Sequence, residues 1–183
     1  MSWQIDPTHS QVTFSVRHMM VSTVKGQFKV LSGVLEIDEQ HPEHSWVEAQ
    51  ADAASIDTRD AQRDAYLRSA DFFDVKAYPT ITFKSTQVKP LGDRAYRVTG
   101  NLTMHGITKE VVFDVDYSGQ FKNLPGLQRA GLSARATINR TDFGLNWNRA
   151  LEASGVLVGE KVNIRLTSKW SRKSSTQHPQ KLR

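Results

Sequence analysis

The side chains able to do chemistry in this chain are few, and they are poorly spaced for it. His9, His18 and His105 lie near the ends of runs that read as strands. A metal centre needs at least three converging nitrogen or oxygen donors. The spacing offers neither HExxH nor ligands two apart on one strand, so no metal is expected. Each imidazole is expected to bond a backbone or carboxylate partner instead. His9 beside Ser10 suggests a base and a nucleophile, yet adjacent strand residues point to opposite faces. No G-x-S-x-G is present, nor any glycine-rich phosphate loop. The absence of cysteine removes thiolate nucleophiles, disulfides and zinc–cysteine sites. The expectation is therefore no catalytic residue, no cofactor and no enzyme.

One segment concentrates charge. Asp57, Asp60, Asp64, Asp71 and Asp74 alternate with Arg59, Arg63 and Arg68. Capping and solvation account for most of these acids. Arg59 and Arg63 are four apart and would share a helical face, where two guanidinium groups can meet an anionic head group. Pairing with Asp60, Asp64 or Asp71 is the plainer reading.

The elements that must position these groups are mostly strands. Period-two alternation runs through Phe14, Val16 and His18, then Phe28 and Val30, with a phase shift at Gly33 that suggests a bulge before Leu35 and Ile37. Val47, Ala49, Ala51 and Ala53 alternate with polar residues. Ile81 with Phe83, and Tyr96 through Met104, continue the pattern. So do Val111 through Tyr117, Leu132 through Ile138, and Val162 through Leu166. That is about eight strands joined by turn signals, and clean alternation over so many favours a closed barrel without exposed edges. Residues 58–70 break the pattern. Asp57 and Thr58 can cap a short helix carrying Ala61, Ala65 and Leu67. Thr141–Gly159 is irregular and could hold a second short helix or a lid. Two rows of alanine leave room inside the barrel, either for a ligand or for the helix and facing aromatics.

At 183 residues the chain suits one domain with a large core. No apolar run is long enough for a membrane span. No signal peptide is visible in MSWQIDPTHS, so a cytoplasmic location is expected, or a periplasmic one if the sequence is a processed form. Of the formal charge of +5, four charges (Arg172, Lys173, Lys181, Arg183) belong to residues 171–183, leaving +1 for residues 1–170. The body therefore lacks the basic footprint of a nucleic-acid binder. Residues 171–183 read as a disordered basic tail.

The most distinctive stretch is LRSADFFDVKAYPTITFKS, Leu67–Ser85. Phe72 and Phe73, between Asp71 and Asp74, look like an aromatic lock joining a helix end to a strand. With Asp6-x-x-His9-Ser10, Phe14–His18, Gly26-x-Phe28, Ser55-Ile56-Asp57-Thr58, Gly100–Gly106, Asn139-Arg140, Asp142-Phe143-Gly144 and Val158-Gly159, it resembles the YceI-like family over residues 3–170. The resemblance implies an all-β fold: an extended eight-stranded antiparallel β-barrel, lipocalin-like, holding a long isoprenoid or similar amphiphilic lipid. It turns the inward apolar set into an expected tunnel lining: Phe14, Val16, Phe28, Ala49, Ala51, Phe83, Leu102, Met104, Phe113, Ala134 and Ile138. Phe143 and Trp147 are expected to close one end. A head group would sit near Arg17, His18, Arg59 or Arg63. The expected function is binding, storage or transport of a polyprenyl phosphate or quinone-like lipid, with a homodimer open. Two rivals remain. One is an enzyme modifying such a lipid, with His18, His105 or Asp6 as acid or base. The other is a side-chain-filled barrel that binds protein on its outer face.

Overall fold

The computed structural model describes residues 2–18, 22–124, 126–146 and 158–173. Within them run eleven strand segments: β1 (Trp3–Ile5), β2 (Gln11–His18), β3 (Ser22–Phe28), β4 (Leu31–Glu36), β5 (Trp46–Asp52), β6 (Ile56–Asp57), β7 (Thr80–Gly92), β8 (Ala95–Met104), β9 (Ile107–Leu124), β10 (Leu127–Asn139) and β11 (Val158–Lys173). Among the described residues a single α-helix, α1 (Ala61–Arg68), interrupts them. Three pairs of segments are bent strands. β1 leads into β2, β3 into β4, and β5 into β6. β1 pairs with β4 while β2 pairs with β3, and β5 pairs with β4 while β6 pairs with β3. Counting each bent pair once gives eight antiparallel strands. The sheet closes because β11 pairs with both β2 and β1, through Ile164↔Phe14 and Ile5↔Trp170.

The bends have local causes. Between β1 and β2, Pro7 has no N–H to give, and the Asp6 carboxylate accepts from Thr8 N–H at 3.0 Å. Between β3 and β4, the Ser55 hydroxyl accepts from the N–H groups of Lys29 (3.0 Å) and Val30 (3.1 Å), so neither donor is orphaned at the break. The phase shift expected at Gly33 therefore falls earlier, at Lys29–Val30. Gly33 runs straight in β4 opposite Ala49. It is a glycine because the Trp170 ring lies over it: a Cβ there would come within 3.0 Å of the indole.

The helix is shorter than the 58–70 segment, and its cap is Asp60, whose side chain accepts from Arg63 N–H at 3.0 Å. Asp57, one of the expected caps, accepts from Arg59 N–H instead. After the helix the chain folds back. Phe73 N–H donates to the Leu67 carbonyl at 2.9 Å, and the Phe72 and Phe73 rings meet edge-on at 5.0 Å. Phe73 also sits edge-on to Phe28 at 6.0 Å, so the corner locks onto β3. β11 continues to Lys173, past the expected start of the tail. Ser171 pairs with Gln4, and the Arg172 guanidinium stacks 4.5 Å over Trp3. Residues 174–183 lie outside those described.

Because the strands are antiparallel, connections alternate between two ends of the barrel. Residues 37–45 and the β7–β8 turn lie at one end, which we call the loop end. Helix α1, the Phe72–Phe73 corner, the β8–β9 turn and a 3₁₀ turn at Arg140–Phe143 lie at the other, the helix end. Apolar side chains form a main cluster through the barrel and a smaller one at the loop end around Trp3, Leu35, Ala130 and Trp170. Among the described residues no helix is long and apolar enough to cross a membrane.

Candidate functional site

A cavity of about 290 Å³ occupies the barrel. One water needs roughly 10–15 Å³ of such space, so this is far more than a packing defect. Its walls are almost wholly carbon. Phe14, Val16, Phe28, Ala49, Ala51, Phe83, Leu102, Met104, Phe113, Ala134 and Ile138 all line it. Strand alternation places them there, and register sets their neighbours: Ala49 opposes Phe83, and Ala51 opposes Ile81. The aromatics are held by missing side chains across from them. A Cβ on Gly26 would fall 2.3 Å from the Phe14 ring, and one on Gly100 would fall 2.5 Å from the Phe83 ring. Phe83 in turn meets Phe113 edge-on at 5.0 Å.

Some residues fall elsewhere. Phe143 does not line the cavity; it is 1% exposed in the 3₁₀ turn, and its carbonyl accepts from His105 Nδ1 at 3.0 Å. Ala53 leaves the lining because a 3₁₀ turn follows β5. Trp147 and the His18 side chain lie outside the described residues. Phe72 and Phe73, read from sequence as architecture beside the pore, line it together with Leu67. Nothing in their alternation signals that, because the chain turns back on itself there.

The two ends of the cavity differ chemically. Thr58, Arg63 and Arg140 line the helix end. Arg63 donates through Nε to Thr58 Oγ1 and through Nη2 to the Thr58 carbonyl, both at 2.8 Å. Thr58 is fixed in turn by the buried Asp64 carboxylate, which accepts from its N–H at 2.9 Å and from its hydroxyl. Arg140 is buried and donates to the carbonyls of Gly159 (3.0 Å) and Leu145 (2.7 Å). Arg17 is exposed, and Arg59 faces an outer groove with Asp57, Arg135 and Arg165. Of the three head-group candidates with described side chains, Arg17, Arg59 and Arg63, only Arg63 is among the cavity lining. Arg140 was missed because its position depends on where the 3₁₀ turn lands.

Asp38, Glu39, Ser45 and Tyr117 line the loop end. Glu39 accepts from the Tyr117 hydroxyl and from Gln120 Nε2, both at 3.0 Å, which ties the loop to β9. Burial pushes the Tyr117 phenol up to about 12, helped by the Glu39 carboxylate and opposed by Gln120, so it remains a donor at neutral pH. The Asp38 carboxyl is held below the usual carboxylate range, chiefly by the His41 N–H bond. Its Oδ1 accepts from Gln40 and His41 N–H at 3.1 and 2.9 Å. Its Oδ2 lies 3.8 Å from Nδ1 of both His41 and His44. Among the described residues, these three alone form a group able to hold a metal. The signal available in sequence was D-x-x-H-x-x-H, a spacing that suits a 3₁₀ turn and not a strand.

Of the groups considered as acid or base, the His18 side chain lies outside the described residues, and the others are not part of the cavity wall. His9 bonds Asp6 at 2.8 Å, on the bend between β1 and β2. Neither these two nor His105 is among the lining residues.

A YceI-like domain model matches residues 3–169. A UPF0312 protein of Staphylococcus aureus (strain N315) is 36% identical over 171 residues, covering 93% of this chain and 97% of that protein. Among solved structures, BcnA of Burkholderia cenocepacia superposes with a TM-score of 0.77 at 25% identity, over 90% of this chain and 98% of that one. A polyisoprenoid-binding domain from Saccharophagus degradans superposes with a TM-score of 0.67 at 15% identity, over 92% and 97%. At that identity the last likeness speaks for the barrel fold alone.

Proposed function

The chain belongs to the YceI-like family, and we propose that it binds one long-chain isoprenoid lipid inside the barrel and stores or transports it. One observation carries this reading: the cavity wall is mostly apolar along its length, and the charged residues of its lining, Asp38, Glu39, Arg63 and Arg140, stand at its two ends. Water gains little in such a space, whereas burying each CH₂ of a ligand is worth about 0.8 kcal/mol. Non-covalent affinity levels off near about 18–21 kcal/mol, and ordering a flexible chain offsets much of the gain. Tight retention through purification follows. Discrimination between lipids by the walls is modest, because a single methylene changes selectivity by only about 1–3 kcal/mol.

The ends give the ligand a direction. An anionic head group is favoured at the helix end, beside Arg63 and Arg140, over the loop end, where Asp38 and Glu39 would repel it. This favours a polyprenyl phosphate over a neutral quinone-like lipid. The role is carriage and not catalysis, a reading supported by Asp6, His9 and His105 not being among the lining residues. Organic extraction of natively purified protein, followed by mass spectrometry, tests the proposal. Stoichiometric isoprenoid is the expected result. A lipid-free protein that also fails to take up added polyprenyl phosphate would overturn it.

A further inference from the structure

We propose that Asp38, His41 and His44 bind a divalent transition metal of the zinc type at the loop end of the barrel. Their donor atoms lie within 4.8 Å of one another. Zinc binds nitrogen and oxygen at about 2.0–2.2 Å, which puts tetrahedral neighbours roughly 3.3 Å apart. Each Asp38–imidazole separation of 3.8 Å needs to close by only about half an ångström to reach that.

The backbone prepares this arrangement. Pro42 opens a 3₁₀ turn over Pro42–His44, with His41 immediately before it. Residues three apart eclipse in that geometry, and the two imidazoles stack at 5.3 Å with planes 26° apart. Asp38 is aimed by its own loop. Oδ1 is occupied by two backbone N–H groups, which leaves Oδ2 towards the rings. The Asp38 N–H is held by Ser45 Oγ at 3.0 Å. Tyr117 and Gln120 anchor the neighbouring Glu39, so little of the loop must be ordered on binding. Two imidazoles and one carboxylate suit zinc, copper(II) or nickel, and not calcium or magnesium. Three protein ligands leave a coordination position open. Asp38 lines the cavity, so the metal would sit beside its mouth, and the preference of an anionic head group for the helix end holds for the metal-free protein.

The test reads metal alone, so its outcome is independent of the lipid reading. Full-length, tag-free protein is stripped with a chelator and titrated with zinc against a chromophoric competitor. One zinc per chain is expected. His44→Ala and Asp38→Asn should each weaken it at least about tenfold; the asparagine keeps the oxygen that accepts from Gln40 and His41. Copper(II) should broaden amide resonances at residues 38–45 first. Absence of stoichiometric zinc binding would overturn the proposal. So would binding that survives His41→Ala/His44→Ala unchanged, since the metal would then sit elsewhere.

Discussion

Gly26 and Gly100 shape the tunnel by what they lack. Each gives a phenylalanine on the neighbouring strand a flat place to lie, and so keeps that ring against the wall. Gly100→Ala brings a methyl within 2.5 Å of Phe83 and 2.4 Å of the Lys84 carbonyl; the ring can swing, but the carbonyl cannot. The expected loss is about 1–3 kcal/mol in a denaturant melt, with reduced lipid capacity as Phe83 moves inward. Arg63 lines the helix end, where the head group is proposed to sit. Arg63→Met should weaken a polyprenyl monophosphate by roughly tenfold or more, on the scale of a lost charged hydrogen bond. A neutral polyprenol should change little in the same competition assay. Asp6 sets an acid limit. Its pKa is held below the usual 3.8, first by the hydrogen bond from His9. A depressed carboxylate contributes stability that is present above its unfolded pKa and lost as pH falls through the folded value. Asp6→Asn should therefore flatten the fall in Tm below about pH 4.

The helix and its aromatic corner form the most specialised element. Asp60 caps α1, and Phe72 and Phe73 turn the chain from the helix end into β7. Both rings are buried and both face the cavity. Phe73→Ala should cost about 3–5 kcal/mol and should also widen the helix end, so lipid retention falls even in the folded fraction. Asp60→Ala should cost only about 1 kcal/mol, the usual worth of an N-cap, with retention unchanged. The strands were legible from sequence because side-chain alternation is local: Phe14, Val16, Leu102 and Met104 announce their face within a few residues. The bends were not. Gly33 was read as a kink because a glycine serves kinks and close contacts alike, and only the arrival of Trp170 from the far end of the chain decides between them. Ser55, which satisfies the real break at Lys29–Val30, is likewise remote in sequence.

The whole molecule is a closed barrel with an apolar middle and unlike ends. The apolar middle could be read from parity. Its ends could not, because Arg140 and the Asp38 cluster reach the mouths through turns whose geometry no periodicity encodes. With arginines at the helix end and carboxylates at the loop end, the polarity of the ends would give a bound amphiphile a preferred orientation. Occupancy of this cavity by one isoprenoid lipid is the proposal on which the rest depends. Native mass spectrometry of the gently purified protein tests it most directly. A single added mass is expected, released by organic solvent and identified as a polyprenyl species. A spectrum of bare protein, unchanged after incubation with polyprenyl phosphate, would contradict it.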